Sequence, residues 1–259
     1  MIELRHPTAI IHPGAKLADD VSVGPYTIIG EHVEIGAGTT VGPHVVINGH
    51  TTIGKNNRIF QFSSLGEIPQ DKKYANEPTR LEIGDNNMIR EFCTFNLGTA
   101  QDKGVTRVGN NNWIMAYVHL AHDCQVGNNT IFANNAQLAG HVIVDDYAIL
   151  GGFTVVHQFV QIGAHVITGM GSILFQDIPT YVTVSGNPAA PHGTNSEGLK
   201  RRGFSSAAVM AIKRAYKTLY KSSMTLEEAK AALATQAAEH PELQAMVEFL
   251  GRTQRGIVR

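Results

Sequence analysis

The feature that most limits what this chain can fold into is a six-residue period in its aliphatic side chains. Stepping by six from Ile11 gives Leu17, Val23, Ile29, Ile35, Val41, Ile47, Ile53, Ile59 and Leu65, all Ile, Leu or Val. If such residues make up roughly a quarter of a chain, this run has a chance on the order of one in a million. Gly follows directly at Gly24, Gly30, Gly36, Gly42, Gly54 and Gly66. Small or β-branched residues recur four after the aliphatic, as in Val21, Thr27, Val33, Thr39, Val45 and Thr51. Such a period matches neither the α-helical repeat nor the two-residue alternation of a half-buried strand. It fits a parallel β-solenoid, in which each hexad forms one short strand and a turn.

The rhythm breaks over residues 68–80, resumes at Ile83, Ile89 and Phe95, and breaks again over 96–107. From Val108 it runs through Ile114, Leu120, Val126, Phe132, Leu138, Val144, Leu150, Val156, Ile162, Thr168 and Leu174, with Phe132 and Thr168 the exceptions. The pattern resembles the hexapeptide repeat of left-handed parallel β-helices, where three hexads make one triangular coil. The left hand is implied by that resemblance, since crossovers are otherwise right-handed. Coils about 4.8 Å apart would stack roughly 25 hexads into about eight coils and a prism near 40 Å long. The resemblance also implies a trimer of prisms.

Past Pro179 the repeat ends, and 186–203 reads as a loop containing Asn187-Pro188. Val209, Ile212, Tyr216 and Leu219 then follow helical spacing, with Ser205 as N-cap. Thr225-Leu226-Glu227-Glu228 opens a second helix through about residue 238 as a capping box. His240-Pro241 starts a third, with Gly251 as its expected stop. The expected fold is an all-β solenoid over residues 1–190 with a C-terminal α-helical domain over 191–259. A cap is expected because an open solenoid end would expose strand edges and core.

Composition narrows the function. Lys and Arg total 21 against 22 Asp and Glu, a formal net charge of −1, so nothing points to nucleic acid as a partner. The start, MIELRHPTAI, has no apolar signal core, and no stretch is long and apolar enough to span a membrane. Two cysteines, Cys93 and Cys124, make neither a disulfide framework nor a four-ligand zinc site. A reducing cytoplasm is the expected compartment.

Residues eighteen apart stack on one face, and Leu120, Leu138, Val156 and Leu174 form such a column. His122, His141 and His157 follow those aliphatics by two, three and one residues, so three histidines share one face within about 10 Å along the axis. His119 and Asp123 flank His122, and Gln158 adjoins His157. A histidine beside a carboxylate is suited to general-base catalysis near neutral pH. His119, His122 and His141 could instead offer zinc ligands. The row follows the coil column past a compact three-ligand set, which disfavours a metal.

The segments His119-Leu120-Ala121-His122-Asp123-Cys124, Ala139-Gly140-His141-Val142 and Val156-His157-Gln158-Phe159 resemble the acyl-[acyl-carrier-protein]–UDP-N-acetylglucosamine O-acyltransferase family. So do Asn48-Gly49-His50-Thr51, Gln70-Asp71-Lys72-Lys73-Tyr74 and Glu197-Gly198-Leu199-Lys200-Arg201-Arg202-Gly203-Phe204. The resemblance covers nearly the whole chain. It implies direct transfer of a 3-hydroxyacyl chain from acyl carrier protein to the 3-hydroxyl of UDP-N-acetylglucosamine, at the start of lipid A synthesis. It implies His122 as base, Asp123 as its orienting partner and the Gly140 N–H as oxyanion donor. Asp71, Lys73, His119, His141, His157 and Gln158 match sugar and acyl contacts. Asn195, Glu197, Arg201 and Arg202 match nucleotide contacts, and Lys200 with both arginines could meet the acidic carrier protein. No cofactor or metal is expected, and Cys124 reads as a packing residue. The rival readings are the later N-acyltransferase of the pathway, an acetyl-CoA-dependent enzyme and a silent scaffolding solenoid.

Two departures stand out. Met170 occupies the place of a Gly at the floor of the acyl groove, which implies a preference near ten carbons over fourteen. Packing inside the coil is the alternative role for Met170. Phe95-Asn96-Leu97-Gly98-Thr99 stands where the family often has Ile-His-Arg-Gly-Thr.

Overall fold

The computed structural model describes residues 4–259. Between Ile10 and Leu174, twenty-five strands of two to four residues follow one another through three sheets in rotation. The first sheet starts at Ile10–Ile11, the second at Lys16–Leu17 and the third at Ser22–Val23. All pairings among these strands are parallel, and Leu120, Leu138, Val156 and Leu174 stack in direct register. Three hexads therefore make one coil, and the aliphatic row is buried from Val23 onward, with Ile11 and Leu17 partly buried at the open end. Of the two exceptions, Phe132 is fully buried. The Thr168 hydroxyl is satisfied by Thr154 Oγ1 at 2.7 Å and the Gly151 N–H at 2.9 Å.

The small residues four after each aliphatic do more than fit. Thr27 and Thr39 donate their hydroxyls to the Gly42 and Gly54 carbonyls at 2.7 and 2.9 Å. Asn57, Asn87, Asn112 and Thr130 form an internal ladder, each oxygen accepting from the next coil's backbone N–H. Buried polar groups linked in this way avoid the cost of orphaned donors and acceptors.

Three corners join the sheets, and most turns from Tyr26 onward carry a residue with positive φ. These are Asp123, His141 and Phe159 (61°, 63° and 66°) between the first and second sheets. Tyr147 and His165 serve the second corner, and Tyr117 and Phe153 the third. A left-handed non-Gly residue costs roughly 1–2 kcal/mol. Stacking offsets this, as in Tyr147 on His165 at 4.9 Å and Phe92 on Tyr117 at 4.8 Å.

Both breaks in the repeat emerge at the first corner. One loop runs from Ser64–Glu67 to Arg80–Ile83, the other from Thr94–Asn96 to Val105–Val108. Register resumes beneath them, with Leu65 on Phe95 and Phe95 on Leu120.

The segment read as a loop over 186–203 is more ordered than its composition suggests. Val182–Gly186 and Ala189–Thr194 pair antiparallel through a cis Asn187-Pro188 bond, and helix α1 covers Ser196–Arg201. Asn195 caps α1 by accepting the Gly198 N–H, a signal hidden by the adjoining glycines. Helices α2 (Ser206–Tyr220), α3 (Leu226–Glu239) and α4 (Gln244–Arg252) follow, with Ser205 and the Thr225–Glu228 capping box as expected. Gly251 lies inside α4 and does not end it, since its backbone never turns left-handed; the helix stops at extended Thr253. Val209, Ile212, Leu233, Met246 and Leu250 form a second core over the prism's end. Among the described residues no helix is long and apolar enough to cross a membrane.

Because each inward aliphatic fills one layer, Leu138→Ala leaves a void between Leu120 and Val156. Denaturant unfolding should show a loss of about 2–5 kcal/mol.

Candidate active site

Leu120 ends a first-sheet strand, and the chain turns the first corner through His122 and Asp123. The left-handed turn at Asp123 brings its carboxylate into the protein, where it is 1% exposed. There Oδ2 lies 2.9 Å from His122 Nδ1, while the Thr99 N–H and hydroxyl also donate to the carboxylate. Burial alone would raise the Asp123 pKa. The hydrogen bonds from His122 and Thr99, with the nearby His141, outweigh it and hold the carboxyl below its ordinary value. An ionised Asp123 keeps the proton on His122 Nδ1 and leaves Nε2 as the acceptor.

The next coil explains why position 140 is Gly. A Cβ there would lie 2.5 Å from His122 Cε1 and 2.6 Å from Nε2, so the imidazole rests directly on the Gly140 backbone. The Gly140 N–H donates to no backbone acceptor among the described residues. A proton acceptor and a free backbone donor thus stand side by side.

His141 occupies the turn position below Asp123. Its ring stacks on Phe159 at 4.4 Å, meets His122 edge-on at 4.9 Å, and its Nδ1 lies 2.7 Å from Asp102 Oδ2. His119 precedes the corner on the first sheet, with Nδ1 2.7 Å from Thr94 Oγ1; burial pushes its pKa down, favouring the neutral ring. His157 lies farther along the corner, 3.2 Å from the Gln158 carbonyl, and the Gln158 side chain is exposed. The two insertions wall a cavity of about 480 Å³ beside this column, lined by Asp71, Lys73, Thr99, Asp102, His141 and Phe159 among others.

His122, Asp123 and His141 could converge on a metal ion, with ligand atoms within 4.8 Å of one another. Hydrogen bonds from Thr99 and His122 to Asp123, and from His141 to Asp102, account for the same side chains without one. Burial pushes the thiols of Cys93 and Cys124 up to about 12, which suits packing and not nucleophilic attack.

Residues 177–258 match a family described as UDP N-acetylglucosamine O-acyltransferase, domain 2, and residues 106–140 match the bacterial transferase hexapeptide repeat. An acyl-[acyl-carrier-protein]–UDP-N-acetylglucosamine O-acyltransferase of Thiobacillus denitrificans is 69% identical over 254 residues, covering 98% of each chain. One of the same name from Janthinobacterium is 61% identical over 262 residues, covering 100% of each. This chain belongs to the acyl-[acyl-carrier-protein]–UDP-N-acetylglucosamine O-acyltransferase family. The structure of LpxA from Acinetobacter baumannii superposes with a TM-score of 0.97 at 47% identity, covering 99% of this chain and 100% of that one. The fold is accordingly a left-handed parallel β-helix with C-terminal helices. The N-acyltransferase, acetyl-CoA and silent-scaffold readings are not favoured by these relatives.

Within this family member, the candidate residues divide among corners. Asn195 donates to the His165 carbonyl, and Arg202 donates to the Tyr147 carbonyl at 3.2 Å while lying 5.1 Å over the Tyr147 ring, so both belong to the second corner. Burial, with the charge of neighbouring Arg202, pushes His165 down to about 4. Arg201 is exposed, and Glu197 pairs with Lys200 at 2.8 Å. Met170 lies on the third corner between the third-sheet strand at Ile167–Thr168 and the first-sheet strand at Ile173–Leu174, and it is 80% exposed, so it does not pack inside the coil.

Sequence reasoning missed Thr99, Asp102, Thr94 and Thr106 as partners of the acid and the histidines. Thr99 sits in a segment singled out only for what it lacks upstream, and Thr106 accepts the Asp123 N–H at 2.8 Å.

Gly140→Ala should therefore displace the His122 ring while the prism persists. Activity is expected to fall at least about 100-fold, the scale of a lost general base, with thermal unfolding shifted by only a few degrees.

Proposed function

We propose that this enzyme transfers a 3-hydroxyacyl chain from acyl carrier protein to the 3-hydroxyl of UDP-N-acetylglucosamine, the first step of lipid A biosynthesis, in the cytoplasm. The observation that carries the mechanism is the 2.9 Å contact of His122 Nδ1 with Asp123, in a ring seated on Gly140. His122 Nε2 takes the proton of the sugar hydroxyl as its oxygen attacks the thioester carbonyl. The Gly140 N–H donates to the resulting oxyanion. Collapse breaks the carbon–sulfur bond, and the proton passes from His122 to the departing thiolate. Transfer is direct, with no acyl-enzyme, no cofactor and no metal, and Asp123 stabilises the imidazolium between the two proton transfers.

Asp71, Lys73 and His141, gathered at the cavity, serve the sugar and acyl chain, together with His119, His157 and Gln158 along the column. Asn195, Glu197, Arg201 and Arg202 serve the nucleotide. Residues 1–190 act as the prism and 191–259 as the helical domain. Because Asn195, Arg202 and Met170 lie on other corners than His122, the complete site needs neighbouring copies, and the assembly is a homotrimer. The exposed corner side chains Tyr26, Phe62, Tyr117 and Phe153 suit burial against a second chain.

In an assay with labelled UDP-N-acetylglucosamine and 3-hydroxyacyl carrier proteins, His122→Ala should lose about 10²–10⁴-fold in rate. Retention of the native rate contradicts His122 as base, and no transfer by the native protein contradicts the reaction.

Met170 would act as the acyl-chain ruler, setting a preference near ten carbons, since a filled groove floor cannot be vacated cheaply for a longer chain. Met170→Gly should move the preferred chain toward fourteen carbons. An unchanged profile in the same assay contradicts that role.

A further inference from the structure

Thr99 has no role in the mechanism above, yet it contributes most of the contacts to the Asp123 carboxylate. Its N–H donates to Oδ1 at 3.0 Å and to Oδ2 at 3.1 Å, and its hydroxyl donates to Oδ2 at 2.6 Å. That Oδ2 is the atom facing His122 Nδ1. Thr99 is fully buried, so no water can replace the hydroxyl without rearrangement.

The loop is built to hold this residue. The Thr99 carbonyl accepts the Asp102 and Gly104 N–H groups at 3.3 and 3.1 Å, closing a turn around it. A Cβ on Gly98 would lie 2.2 Å from Val105 N, so only Gly lets the chain enter the turn at that point. The same turn delivers Asp102 to His141. An insertion that merely decorated the corner would not need to bury a donor pair under the acid of the dyad.

We propose that Thr99 is a positioning residue for the transfer reaction. It locks the Asp123 carboxylate in the orientation that presents Oδ2 to His122 Nδ1, and it shares the charge of Oδ2. The Nδ1 proton then stays on the imidazole while Nε2 accepts the proton of the attacking hydroxyl. Charge-assisted hydrogen bonds of this kind are among the stronger ones in proteins. The inference rests on the reading of His122 as general base.

The test compares native enzyme, Thr99→Val, Thr99→Ser and His122→Ala for kcat, KM for UDP-N-acetylglucosamine and thermal unfolding. Val matches Thr in shape and lacks the hydroxyl donor; Ser keeps the donor. Thr99→Val should lose about 10- to 100-fold in kcat, the scale of a hydrogen bond to a charged group, with KM changed less than about threefold. Thr99→Ser should recover to within about threefold of native. If Thr99→Val does not fold, Thr99→Ala replaces it under the same criteria. The proposal is overturned if the hydroxyl-less variant keeps native kcat, if its defect lies in KM alone, or if Thr99→Ser falls as far. A native rate in His122→Ala removes the base itself, an outcome that the His122 arm separates from failure at Thr99.

Discussion

Everything in this molecule hangs on the parallel stacking of each coil on the next, residue over residue. Leu120 over Leu138 over Val156 is the hydrophobic half of that constraint, and the Asn57–Asn87–Asn112 ladder is the polar half. Because burial removes apolar area in every layer, the register is fixed along the whole prism. Once the register is fixed, so is the placement of every turn residue. Asp123, His141 and Phe159 are superposed at one corner by the same arithmetic that stacks the core. The column of His122, Asp123 and His141 is therefore a by-product of the repeat, with polar groups substituted at its turn positions.

The insertions are where the repeat is relaxed, and both relax it at the same corner. Strands resume register beneath them, so they cost the prism little and supply walls where a smooth prism has none. A β-helix corner alone offers shallow grooves; the loops convert one groove into a cavity with acids, lysines and a buried threonine around His141. The dyad thus depends on a periodic part that positions it and an aperiodic part that clamps it.

This division explains what the sequence could and could not reveal. The inward aliphatics were legible because burial enforces their period, and the His122–Asp123 pair because neighbours in sequence share a turn. Thr99 was not legible, since its contact with Asp123 joins an aperiodic loop to a distant turn. The hairpin at Val182–Gly186 and helix α1 were hidden by glycines and prolines that read as loop. Gly251 misled as a helix stop because Gly is tolerated within a last turn when packing by Met246 and Leu250 holds the helix. The family resemblance supplied roles for Asn195, Glu197, Arg201 and Arg202, but it could not say that Asn195 and Arg202 would sit at a different corner from His122.

One prism offers His122 and Asp123 on its first corner and the candidates Asn195 and Arg202 on its second, which is the ground for the proposal that a working site combines two chains. The most direct test is co-expression of His122→Ala and Arg202→Ala chains carrying different tags, with purification of the mixed assemblies. Each variant alone should be nearly inactive, whereas every mixed trimer has one of its three interfaces with both halves intact, about a third. Recovery of about that share of native activity is the predicted result. Mixed assemblies no more active than either parent would contradict a site shared between chains.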